Sequence, residues 1–241
     1  MTAPFLSLQG LTKRFGGLIA VNEVSFDIAQ GDLVSIIGPN GAGKTTLFNL
    51  VTGQFQPTAG RIALEGRDIT RESPQTRARL GFGRTFQISK TLTALTALEN
   101  VLIGSFLHRR GLVEAARRAE EVLAMVGLAA RAGVKAGTLT LSERRRLEIA
   151  RALALDAKIV LLDEVMAGLN QTEVDEVIHL VKRLHGEGLT FLVIEHNLKV
   201  VRAFQSRVVV LDFGQKIADG LPEEVLSDTR VVEAYLGRKR A

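Results

Sequence analysis

A chain of 241 residues with 46% apolar and 24% charged residues has the make-up of a globular protein with room for one large domain, which excludes fibrous and disordered classes and leaves two independent domains cramped. It contains no cysteine, which excludes a disulfide framework and any thiolate metal site and fits a reducing compartment. The net charge of +5 comes from dispersed basic residues apart from Arg144, Arg145 and Arg146 and the tail Arg238, Lys239 and Arg240. Solvated helix faces and an anionic ligand account for that charge, so no stable nucleic-acid binding is expected.

The start, MTAPFLSLQG, has no basic segment leading into an apolar one, and no stretch approaches the roughly 18 uninterrupted apolar residues of a membrane span. Residues 6–11 and 24–28 read as amphipathic strands, joined later by 61–64 in an antiparallel β element. Residues 33–37 form an apolar run interrupted only by Ser35 and read as a buried strand. Directly after them stands GPNGAGKTT, which is Gly38, Pro39, Asn40, Gly41, Ala42, Gly43, Lys44, Thr45 and Thr46. This is a G-x-x-x-x-G-K-[ST] loop between a strand and a helix predicted over 46–51. Such a loop aims backbone N–H groups and the positive end of a helix at one small volume, where a polyphosphate binds. The glycines permit the backbone angles and close approach, Lys44 adds a cation, and the Thr45 hydroxyl is a ligand for Mg²⁺.

From about 91 to 155 the chain is rich in Ala, Leu, Arg and Glu at helical spacing, with Gly104, Gly111, Gly127 and Gly133 as breaks. This reads as a helical subdomain inserted in the core. Within it Thr140-Leu-Ser-Glu143 fits a capping box, with Thr140 as the N-cap and Glu143 bonding back. KIVLLDE then ends a buried strand in two carboxylates, Asp163 and Glu164. Burying them is costly without a cation, and Mg²⁺ would provide one. FLVIEHN ends another buried strand, 190–194, in Glu195 and His196. Residues 207–212 and 215–219 read as a hairpin turning at Phe213-Gly214. The alternation of strands and helices argues for an α/β class with a mostly parallel sheet.

Phe15, the loop at Gly38, Gln87 in GRTFQIS, LLDE, AGLN at 167–170 and His196 stand in an order and spacing that resembles the ATP-binding subunits of ABC transporters over essentially the whole chain. The tail VVEAYLG and the phrase DEVMAGLN are similar to the subgroup serving branched-chain amino acid importers. The resemblance implies a P-loop NTPase (RecA-like) core at about 1–88 and 156–241 with a helical subdomain at about 89–155. Together these would form a single nucleotide-binding domain over 1–241. It implies ATP and Mg²⁺ as cofactors, a second ATP-binding subunit and membrane permeases as partners, and a cytoplasmic place on the inner face of the membrane.

By the same resemblance Phe15 would stack on adenine, Gln87 would contact Mg²⁺ or the attacking water, and Asp163 would hold Mg²⁺. Glu164 would be the general base and His196 would sense the terminal phosphate. The signature segment departs from the family pattern. Thr140 keeps a hydroxyl, but Ser142 stands where Gly is usual and Glu143 replaces a neutral Gln, so Glu143 would oppose a phosphate and the arginines after it would favour one if turned inward. Asn170 stands where Asp is usual. Two other readings follow: a regulatory subunit with weak hydrolysis, and a soluble ABC ATPase outside transport.

Overall fold

The computed structural model describes residues 4–85 and 91–236. In chain order the strands and helices are β1 (Leu6–Phe15), β2 (Leu18–Ile28), β3 (Leu33–Ile37), α1 (Lys44–Val51), β4 (Ala59–Leu64), β5 (Arg67–Asp68), α2 (Pro74–Arg79), β6 (Phe82–Arg84), α3 (Ala97–Ser105), α4 (Leu112–Met125), α5 (Leu141–Leu153), β7 (Ile159–Asp163), α6 (Gln171–Gly186), β8 (Thr190–Ile194), α7 (Leu198–Phe204), β9 (Arg207–Asp212), β10 (Gln215–Gly220), α8 (Pro222–Ser227) and α9 (Thr229–Leu236). They form two compact units, residues 1–77 with 190–241 and residues 78–189. Among the described residues no helix is long and apolar enough to cross a membrane.

The first unit holds two sheet systems. β2, β1, β4 and β5 lie side by side in that order, and the pairings β1–β2, β1–β4 and β4–β5 are antiparallel. Beside it β3 pairs in parallel with both β8 and β9, and β10 returns antiparallel along β9. All five residues of β3 and all five of β8 are buried, as largely apolar strands covered on both faces require. Ile37, Val208, Val210, Val225 and Val231 share one apolar cluster, and Tyr235 of α9 packs against it. The C-terminal helices are thereby fastened to the strand that precedes the glycine-rich loop. Fully buried Arg77 donates to the carbonyls of Leu50, Val51, Ile69, Thr70 and Glu72, which occupies orphan acceptors at the end of α1. Burial lowers its pKa to about 10.

In the second unit β6 and β7 pair in parallel, Phe82 beside Ile159 and Arg84 beside Leu161. The helices α3, α4 and α5 lie between these strands in the chain. Thr96 caps α3 with a reciprocal bond to Glu99, Gly111 precedes α4, and Gly127 ends its run at φ 71°. The fold displays the α/β class, with parallel strand pairs in a mixed sheet, an antiparallel sheet and an intervening helical stretch.

Candidate nucleotide-binding site

β3 ends at Ile37 and α1 begins at Lys44, two residues before the predicted start, with Gly43 as its N-cap at φ 99°. A Cβ on Gly43 would come within 2.3 Å of the Ala20 carbonyl oxygen, and one on Gly38, at φ 149°, within 2.1 Å of the Leu211 carbonyl oxygen. The loop is thus pressed between β2 and β9 so closely that only glycine fits. Lys44 is buried, and its Nζ donates to the carbonyls of Gly38 (2.7 Å) and Pro39 (3.0 Å), across the mouth of the loop. Thr45 is exposed and Thr46 half-buried. No side chain caps α1, so its first N–H groups face outward as an anion site.

Phe15 ends β1 with 43% of its surface exposed, which excludes a core role. Its ring meets Phe55 edge-on at 5.4 Å, and Lys13 Nζ lies 5.0 Å from its centroid. His196 is exposed just beyond β8, and Glu195 before it is buried. Asn197 accepts from the Lys199 N–H and opens α7. Phe15, residues 38–46 and His196 all belong to the first unit.

Asp163, Glu164, Thr140 and Ser142 belong to the second. Asp163 is 2% exposed and accepts from Arg84 Nη2 at 3.2 Å. Its N–H donates to Thr85 Oγ1 at 3.1 Å. Sequence reasoning gave the compensating charge to Mg²⁺ alone, yet the chain carries its own counter-ion in Arg84. Burial pulls the Arg84 guanidinium below its ordinary pKa and Asp163 opposes that pull. Neither Arg84 nor Thr85 was singled out, because their placement depends on β6, a three-residue strand containing glycine. Glu164 follows at φ 50°, a left-handed backbone that is strained for a non-glycine residue.

Thr140 caps α5 as expected. Its N–H donates to Glu143 Oε2 (2.9 Å), and the Glu143 N–H donates to Thr140 Oγ1 (3.2 Å). Ser142 is buried, and its Oγ has no hydrogen-bond partner among the described residues. The second oxygen of Glu143 accepts from Arg131 Nε at 2.7 Å, a partner the sequence did not suggest. The Thr140 N–H, then Arg131, holds the Glu143 carboxyl below its usual pKa. Arg145 does not turn toward the helix start. It is buried against Glu148 (3.3 Å) and donates to the Ala167 carbonyl (3.4 Å). Asn170 caps α6 with a reciprocal bond to Glu173, a task Asn performs as well as Asp. Gln87 lies outside the described residues.

The family model described as "ABC transporter" matches residues 21–167. The chain belongs to the ABC transporter family. A second model, "Branched-chain amino acid ATP-binding cassette transporter", matches residues 215–241. Among its relatives in this family, the chain is 42% identical to the high-affinity branched-chain amino acid transport ATP-binding protein BraF of Pseudomonas aeruginosa, over 98% of this chain and 99% of that one. It is 39% identical to the corresponding protein LivG of Escherichia coli over the same shares. Among solved structures, a nucleotide-free ATP-binding cassette from an ABC transporter superimposes with a TM-score of 0.89 at 33% identity, covering 98% of this chain and all of the other. The dimeric structure of a bacterial ABC transporter cassette gives a TM-score of 0.81 at 29% identity, covering 90% of this chain and 98% of the other. The fold is that of P-loop NTPases, and the chain is an ATP-binding ABC ATPase of a kind that dimerises.

Proposed function

We propose that this ABC ATPase energises the import of small solutes, most of all branched-chain or other hydrophobic amino acids, through separate permease subunits on the cytoplasmic face of a membrane. The observation that carries this reading is the near full-length likeness to BraF and LivG. It is supported by the match over 215–241, a stretch that begins with β10 and includes α9 with Val231 and Tyr235. The whole chain acts as one nucleotide-binding domain, and a second copy or related subunit completes it.

Each ATP is held by one chain's loop at 38–46 and the other chain's α5 N-terminus. The N–H groups that follow Gly43 and the Lys44 ammonium take the phosphates. The exposed Phe15 ring takes the adenine face. By the same reading Thr45 and Asp163, with Gln87, would hold Mg²⁺ through oxygen donors. Mg²⁺, when bound, shields the phosphate charge as the terminal bond breaks. Glu164 accepts a proton from the attacking water, and His196 hydrogen-bonds the terminal phosphate. Thr140 contributes its hydroxyl from across the dimer.

Glu164→Gln tests the assignment. Steady-state ATP turnover should fall by about 10²–10⁴-fold while ATP binding persists and an ATP-dependent dimer accumulates. Undiminished turnover would remove Glu164 as the base. Wild-type turnover at background levels, alone and with permeases, would favour the regulatory reading.

A further inference from the structure

The capping box of α5 uses the N–H groups of Thr140 and Glu143. It leaves those of Leu141 and Ser142, the first two residues of the helix, as donors for a ligand. Glu143 is therefore a full negative charge within one turn of the place where an anion would sit. Its side chain is not turned toward that place. One oxygen is committed to the Thr140 N–H and the other to Arg131 Nε at 2.7 Å. The Glu143 side chain is only 12% exposed, and a carboxylate so enclosed needs a partner.

Arg131 does not reach this carboxylate by chance of a flexible surface. It closes the short 3-10 turn Ala129–Arg131, directly after buried Leu128. Its N–H donates to the Leu128 carbonyl (2.9 Å) and its own carbonyl accepts from Val134 (2.9 Å). Arg145 is engaged with Glu148 and Ala167.

We propose that Arg131 is a positioning residue of the composite ATP site, holding the Glu143 carboxylate back against the first turn of α5 and cancelling its charge so that the helix N-terminus accepts the terminal phosphates of ATP. The segment then does with an ion pair what a neutral Gln does without one. This rests on the composite-site reading given under the proposed function.

The test measures ATP-dependent dimerisation of the full chain by light scattering, in a Glu164→Gln parent that retains bound ATP. Arg131→Ala should raise the half-saturating ATP concentration by roughly two- to fivefold, the size expected of a half-exposed ion pair acting on one charge. Arg131→Lys should raise it by less than about twofold. In a Glu143→Gln background Arg131→Ala should also shift it by less than about twofold, because no charge is left to cancel. ATP binding to the isolated monomer should be unaffected by Arg131→Ala. Equal rises in the Glu143 and Gln backgrounds would assign Arg131 a purely structural role and overturn the proposal, as would no rise in either. A parent that never dimerises with ATP would overturn the composite-site reading itself.

Discussion

The two places prepared for a polyphosphate, the loop at Gly38 and the N-terminus of α5, are built from different materials. The loop is backbone held by packing: Gly38 against Leu211, Gly43 against Ala20, and Lys44 strapped across to Gly38 and Pro39. The α5 start is side chains held by hydrogen bonds and charge: Thr140, Glu143 and Arg131. A backbone cradle tolerates almost no substitution, because added atoms meet carbonyls that cannot move. A side-chain cradle tolerates substitution where a new group brings its own compensation, and so Glu143 can stand beside Arg131.

The sharpest way to break this contrast is Gly38→Ala. With a Cβ 2.1 Å from the Leu211 carbonyl oxygen, it should cost about 2–4 kcal/mol in stability and abolish nucleotide binding. Thermal unfolding together with titration of a fluorescent ATP analogue would show it, and near-normal affinity would mean the loop yields more than its packing implies. Ser142→Gly should act more gently and in the opposite direction. It removes a buried hydroxyl with no partner among the described residues and opens the approach to the helix N–H groups. A fall in the ATP concentration for half-maximal turnover of roughly two- to fivefold is expected; unchanged kinetics would show that this residue does not limit the site.

The smallest effect is electrostatic. Since Glu143 has its pKa lowered, by the Thr140 N–H first and Arg131 with it, its ionised form favours the fold. That contribution is complete above the ordinary glutamate pKa and is lost as pH falls through the depressed folded value. Melting temperatures followed from about pH 6 to about pH 3 should fall more for the parent than for Glu143→Gln. Parallel curves would show that the carboxylate carries no net stabilisation.

The same contrast decides what could be read from sequence. β3, β8 and β9 match their predicted bounds residue for residue, since their buried residues are nearly all Val, Ile, Leu and Phe. The Gly38 loop was equally plain, because its chemistry is contiguous. β1 and β2 run longer than their patterns suggested. Register shifts between Leu8 and Leu11 and again near Lys13 change which face a residue takes, and alternation is lost to the eye. Arg84 and Arg131 were invisible for another reason. Each acts on a carboxylate many residues away, and one arginine among many carries no local mark of its partner.

Arg84 has one further consequence, which concerns how the protein endures handling. A carboxylate as enclosed as Asp163, if it relied on a divalent ion for its only positive neighbour, would make the β6–β7 pair hostage to chelators. With Arg84 Nη2 3.2 Å away, that pair carries its charge balance within the chain, on the Arg84 side chain. Extended dialysis against EDTA should therefore leave the unfolding temperature unchanged while silencing turnover, and a drop of more than about 4 °C, roughly 1 kcal/mol for a chain of this size, would show that the arginine does not replace the metal in holding the fold.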